Sequence, residues 1–355
     1  MEPMNWGEGD TSYAHNSGIQ NAEQNRMKPM IEAAIIDLCT STSTLFPTNM
    51  VIADLGCSSG PNALVLVSAA IEAIRSYCVQ FQRQPPEVCI FLNDLPNNDF
   101  NMVVKSLSML RKSNEPIVVA SVTPGSFYER LFPTGSLHLV CSSSSLHWLS
   151  KAPEVLTRNH IPAYNIDEHA RREMLPMIHD AYAQQFKNDF THFLKLRAKE
   201  FLPGGRMVIS ITGRHSNGID SKLFHIWEPI GHILSVMALE GVINKAKYDS
   251  FYIPMYGPSN EELRGIIQEE GSFSIKEMVV RGLTSDADSA LFTPDRYMSQ
   301  MRAVFEPVIL KHFGEVMEEF MRTAERRWSL DGILRDQLDR LVWLSVSLTK
   351  ASSSN

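Results

Sequence analysis

The chain has 355 residues, too many for one minimal domain and in keeping with either two modules or one α/β core carrying a large cap. Hydrophobic residues make up 44% and charged residues 21%, a globular mix with ample material for a core. The net charge of −7 argues against a general nucleic-acid binder, which carries a basic footprint, and is too mild for an acidic tail; it suits an enzyme acting on small molecules. The five cysteines, Cys39, Cys57, Cys78, Cys89 and Cys141, are odd in number and form no CxxC pair, so a reducing compartment is expected rather than a disulfide framework or zinc site. The amino terminus lacks a basic-then-apolar secretory pattern, no apolar run reads as reaching the roughly 18–20 residues of a membrane span, and a cytoplasmic location is expected.

Along the chain, a polar, Gly-rich start gives way to Ile31, Ala34, Ile35 and Leu38 at helical spacing, ended by Pro47. Met50 to Ala53 reads as a first strand running into Asp54 and a glycine loop, and Pro61 opens a helix whose apolar positions continue to Ile74. Val88 to Leu92, Ile117 to Val122, Leu137 to Cys141 and, after Pro203-Gly204-Gly205, Arg206 to Ile211 read as further buried strands. Strands alternating with helices predict a doubly wound parallel α/β sheet. Lys151 to Met177 is polar, helices are expected over Ile178 to Phe201 and Ile226 to Glu240, and Ser259 with Glu262 makes a capping box before Leu263. Phe273 to Val280 and Leu341 to Leu348 read as late strands, with a long helical stretch over Arg296 to Arg327 kinked near Pro307.

The sharpest local feature is Asp54-Leu55-Gly56-Cys57-Ser58-Ser59-Gly60-Pro61-Asn62, between a strand and a helix. Its D-x-G-x-x-x-G spacing favours a nucleoside without a pyrophosphate, such as S-adenosylmethionine (AdoMet), although an ordinary glycine turn has the same look. Asp94, ending the second strand, can accept both ribose hydroxyls, or serve as a solvated carboxylate or helix cap. Phe127 can stack on adenine beside Ser126, or pack in the core. His147 and Trp148 follow the fourth strand; they face the same crevice or belong to the core. A dinucleotide oxidoreductase would need GxGxxG and an acid about 20 residues on, and neither is present.

The segments SYAHNSGIQ (Ser12 to Gln20), ADLGCSSGPN (Ala53 to Asn62), FLNDLPNNDF (Phe91 to Phe100), PGSFYERLFP (Pro124 to Pro133) and SSSSLHWLS (Ser142 to Ser150) resemble the plant SABATH methyltransferases. So do PGGRMV, SFYIPMY and MRAVFEP further on, so the resemblance runs in order over nearly the whole chain. It implies a class I methyltransferase (Rossmann-like) core with a mostly helical cap, a homodimer, and methylation of a small carboxylic acid. Residues 1–150 would form the arm and AdoMet-binding part, 151–200 a lid, and 201–355 the rest of the sheet with inserted cap helices. Tyr13, Ser17, Cys57, Asn62, Asp94, Leu95, Ser126 and Phe127 fall at the AdoMet site. Gln20 and Trp148 fall where the substrate carboxylate is gripped, with no acid–base residue. Ser144 and His147 fall at two selecting positions, and Thr212, Ile226, Trp227, Tyr256, Met301, Val304 and Leu341 on the pocket wall. Asn159, Asp249, Phe251 and Tyr252 fall where some members are drawn with magnesium; one carboxylate makes this a weak site.

Asn97 and Trp6 depart from the family pattern without removing a ligand-contacting group. Salicylate-type members often carry Tyr and Met where this chain has Ser144 and His147, and that difference also occurs in members acting on jasmonate. Benzoate or salicylate leads as substrate, ahead of jasmonate, indole-3-acetate, anthranilate or cinnamate. A xanthine nitrogen is further behind, since a neutral purine needs no paired donors aimed at a carboxylate. A non-catalytic AdoMet-binding protein would be expected to have lost those donors.

Overall fold

The computed structural model describes residues 4–40, 47–111, 116–215, 225–282, 291, 293–331 and 339–351. Their strands form one sheet in the order β3-β2-β1-β4-β5-β7-β6. Strands β1 (Asn49–Leu55), β2 (Glu87–Asp94), β3 (Val118–Pro124), β4 (Leu137–Ser143) and β5 (Phe201–Arg214) pair in parallel. β7 (Leu341–Lys350) runs antiparallel between β5 and β6 (Phe273–Gly282). The sheet is thus mixed rather than wholly parallel, because the last strand returns along β5. Strand β5 begins five residues before the expected Arg206: Leu137 pairs with Phe201 and Leu139 with Arg206, and the Pro-Gly-Gly stretch bulges out between them.

Alternation along the strands sorts side chains to two faces. Ile52, Leu139 and Val208 pack with α2 (Gly18–Thr40) and α3 (Val65–Gln80) through Ile31, Ile35, Val67 and Ile71. Ala53, Val140, Met207 and Ile209 join the opposite cluster, which holds Phe186, Phe190 and Phe193 of a long helix, Glu168–Glu200. Residues 61–80, a short 3-10 turn followed by α3, are long and apolar enough by composition to cross a membrane, contrary to the sequence reading. Leu66, Val67, Ala70, Ile71 and Ile74 are buried in the core, which accounts for that composition.

Three helices pass through prolines, at one of which, Pro307, the sequence suggested a kink. α2 continues through Pro29, and the Glu168–Glu200 helix starts at an Asp167 cap and runs through Pro176, ten residues earlier than expected. The expected single helix near Pro307 is two helices, Pro294–Phe313 and Met317–Asp331, separated at Gly314 (φ +88°) rather than at the proline. Pro307 has no N–H to offer Ala303, four residues back. That carbonyl instead accepts from Asn5 N at 2.9 Å, which docks the amino-terminal arm onto the helix. Numbered in chain order, the helices are α1 (Tyr13–Asn16), α2, α3, α4 (Phe100–Ser106), α5 (Glu154–Arg158), α6 (Glu168–Glu200), α7 (Glu228–Leu239), α8 (Lys245–Asp249), α9 (Asn260–Glu270), α10 (Pro294–Phe313) and α11 (Met317–Asp331). The expected Ser259–Glu262 capping box opens α9.

Candidate active site

The strand order reverses between β1 and β4, and the crevice outside their carboxyl ends is where open α/β sheets take ligands. At the end of β1, Gly56 adopts φ +78°, and a Cβ there would collide with the Ser145 side chain. The amides of Gly56 and Cys57 both donate to Asn93 O at 2.9 Å, folding the loop against β2. Asp94 completes the turn: its carboxylate accepts from Ser58 N and Leu95 N, each at 2.7 Å. Burial raises the Asp94 pKa, while those two amide bonds hold it down. Gly60 (φ +84°) lies so close to α1 that a Cβ would stand 2.6 Å from Ala14 Cβ.

After β3, the loop carrying Ser126 and Phe127 is held from below by a buried ion pair of α6. Arg197 Nη1 donates to Phe127 O at 2.8 Å and Nη2 to Glu129 O at 2.7 Å, while Glu200 Oε1 accepts from Leu131 N at 2.9 Å. The two side chains are wholly buried and 2.7 Å apart. After β4, Ser144 takes φ +56°, unusual for a side-chain-bearing residue, and Ser145 Oγ donates to Gly56 O at 3.1 Å. Trp148 is fixed through its backbone: N donates to Ser145 O at 3.0 Å, and its carbonyl accepts from Tyr128 Oη at 2.8 Å.

The arm closes the crevice. Asn62 Nδ2 donates to Ser17 O and Oγ at 2.9 and 2.8 Å, and Asn62 Oδ1 accepts from Asn21 Nδ2 at 2.9 Å. Ser17 and Asn62 thus latch arm to loop, and Ser17 lies behind the cavity wall. Next to the latch, α2 delivers Gln20 into the crevice.

Two cavities adjoin here. The outer one, about 410 Å³, is lined by Tyr13, Cys57, Asn62, Asp94, Leu95, Ser126 and Phe127. The inner one, about 110 Å³, is lined by His147, Thr212, Ile226, Met301 and Leu341. Gln20, Ser144, Trp148 and Val304 line both. Desolvation lowers the His147 ring pKa to about 3, so it is neutral at pH 7.

Two expected wall residues lie elsewhere. Tyr256 turns its hydroxyl onto Glu262 at 2.8 Å, within the Arg214–Glu262 ion pair, and lines a separate cavity. Trp227 lines neither site cavity and stacks on His225 with ring centroids 4.8 Å apart. Inner-wall residues that the motif reading missed include Tyr297, Gln300, Phe305 and Trp343. Periodicity could have found them: Tyr297 and Gln300 precede Met301 and Val304 by one helical turn, and Trp343 is two residues beyond Leu341 on β7. The sequence gives no such cue for Arg197 and Glu200, which act through the backbone of a distant loop.

The four residues associated with magnesium do not fit that ion, which takes several oxygen ligands in near-octahedral array. Asp249 pairs with Lys245 at 2.5 Å, and Asn159 Nδ2 donates to Val155 O at 2.7 Å. Tyr252 Oη donates to Ile161 O at 3.0 Å, and the Phe251 ring packs 5.0 Å from that of Phe313. Among the described residues no cluster of three His, Cys, Asp or Glu side chains is placed to hold a metal.

A loganic acid methyltransferase solved with SAH superposes with a TM-score of 0.85 at 29% identity, covering 99% of both chains. The fold is therefore that of a class I methyltransferase. A benzoic acid/salicylic acid carboxyl methyltransferase of Petunia hybrida is 38% identical over 98% of this chain and 97% of its own. A jasmonate O-methyltransferase of Arabidopsis thaliana is also 38% identical, covering 91% and 92%. The model of the SAM dependent carboxyl methyltransferase family matches residues 2–351, and the chain belongs to that family, with AdoMet as its methyl donor.

Proposed function

We propose that this enzyme methylates the carboxylate of a small one-ring acid of the benzoate or salicylate type and releases the methyl ester. The observation that supports it is the junction of the two cavities, where Gln20 and Trp148 face both. Among the described residues Gln20 Oε1 is buried without a partner, and neither the Gln20 amide N–H₂ nor the Trp148 indole N–H donates to a protein group. Asp94, Leu95, Ser126, Phe127 and Tyr13 would hold AdoMet in the outer cavity; that donor supplies a methyl group already activated on a sulfonium.

What the protein adds is position and dryness. A carboxylic acid has a pKa of about 4 and is ionised at pH 7, so it needs no base. His147, neutral and buried, is not called on to move a proton. Gln20 and Trp148 each donate a hydrogen bond to the carboxylate and aim one oxygen at the methyl, for which roughly 3–3.5 Å is the productive approach. The arm excludes water, and loss of charge as the ester forms is favoured in a dry site. The inner volume of about 110 Å³ is smaller than the cavity of about 150 Å³ that holds benzene, so a single aromatic ring must extend into the junction, and the longer jasmonate skeleton has less room still.

Trp148→Phe removes the donor and keeps an aromatic ring. It should lower kcat/KM for ester formation about 10–100-fold while the AdoMet Kd from calorimetry stays within about twofold. Undiminished ester formation in that variant would refute the assignment.

A further inference from the structure

The inner cavity carries more polarity than an aromatic hydrocarbon ring can use. Gln300 Oε1, Ser144 Oγ and His147 Nδ1 are each buried without a hydrogen-bond partner, and all three residues line this one small space. Buried polar atoms are nearly always paired, so these three orphans, with Gln20 Oε1 as a fourth at the junction, mark a place where something else supplies the partner. The first three stand apart from the carboxylate-facing pair, and Gln300 lines the inner cavity and not the outer one. Beside Thr212 and Tyr297, the rest of that wall is largely apolar, with Ile19, Ile226, Met301 and Leu341.

We infer that Gln300 is a specificity-determining residue that reads an oxygen substituent, a hydroxyl group, on the ring of the acid. This rests on the carboxyl methyltransferase reading above and narrows its substrate class to hydroxylated acids. A hydroxyl can donate to Gln300 Oε1 and accept from the Ser144 hydroxyl or the neutral His147 ring, depending on its tautomer. A bare ring leaves all three atoms unpaired and desolvated. That asymmetry is how sites built to hydrogen-bond a hydroxyl reject the analogue lacking it. Ser144 holds its place at a left-handed backbone angle, φ +56°, its main-chain N–H bonded to Ser210 O at 2.9 Å, so its hydroxyl is presented from a fixed support.

The test uses matched acids, benzoate against its 2-, 3- and 4-hydroxy forms and cyclopentanecarboxylate against its hydroxy form, with the full-length enzyme and Gln300→Met. Methionine keeps the length of the side chain and removes its hydrogen bonding, and an unchanged melting temperature shows that it folds. The wild type should prefer one hydroxylated partner by about tenfold or more in kcat/KM. Gln300→Met should bring that ratio near one while the AdoMet Kd is unaltered. Calorimetric binding of the same acids in the presence of S-adenosylhomocysteine gives the ratio without turnover. Ester formation with a ratio near one in the wild type, or an unaltered ratio in Gln300→Met, overturns the subsite. A binding ratio that persists and collapses in Gln300→Met, with no ester from any acid, upholds the subsite and overturns the methyl-transfer reading instead.

Discussion

Asp54 is 1% exposed at the end of β1, and neither of its carboxylate oxygens has a hydrogen-bond partner. Burial, with the nearby Asp94 charge, raises its pKa to about 8. The unfolded chain gives up this proton near pH 4, so between about pH 4 and 8 the folded state holds one proton more and loses stability as pH rises. His147 works in the opposite sense: folded it stays neutral to about pH 3, so acid below pH 6.5 favours the unfolded chain. Asp54→Asn, the same shape without the charge, should therefore gain in melting temperature over the wild type as pH goes from 5 to 8. A gap that is constant across that range contradicts the assignment. The glycine loop, Asp94, Ser126, Phe127, Gln20 and Trp148 were legible because each sits at a strand end or in a contiguous motif. The resemblance put Tyr256 and Trp227 on the pocket wall, yet they line neither site cavity, because each ring has a nearer partner. Tyr256 has a charged carboxylate within 2.8 Å to satisfy its hydroxyl, and Trp227 an imidazole to stack on.

Helix α2 shows how an element carries chemistry into the site. Gln20 and Glu23 are three residues apart and share a face. Glu23, fully buried, accepts from Ser210 Oγ of β5 at 2.7 Å, Ser345 Oγ of β7 at 2.9 Å and Arg281 of β6 at 3.2 Å. One carboxylate thus fastens the helix to three strands and sets where Gln20 stands. Glu23→Ala strands those donors and should lower stability by about 3 kcal/mol in urea unfolding. In the fraction that folds, KM for the acid should rise more than KM for AdoMet, since α2 bears the carboxylate donor. A variant with native stability and native KM for the acid would show that Glu23 does not position this helix. The kink expected at Pro307 was misread because proline removes one hydrogen bond without saying whether tertiary packing compensates. At Ala303 the compensation comes from Asn5, almost 300 positions away in sequence.

Across the molecule, alternating strands and helices were enough to expect the doubly wound core, because most strands are apolar runs flanked by turn residues; β3, expected to be buried, is an edge strand with no buried residue and with Val119 exposed. The direction of β7 was not legible: a strand buried on both faces, as Leu341 to Leu348 is, looks the same parallel and antiparallel, and only the pairing with β5 and β6 decides it. That last strand also brings Leu341 and Trp343 to the inner cavity, so the chain's two ends, arm and final strand, both reach one site. The account stands most directly on a single assay, the enzyme with methyl-labelled AdoMet and a panel of about a dozen carboxylic acids and a xanthine, each ranked by kcat/KM. It predicts label recovered in methyl esters, with acids of the benzoate type ahead of jasmonate and indole-3-acetate. Absence of labelled ester from every acid, or label appearing on a purine nitrogen instead, would contradict it.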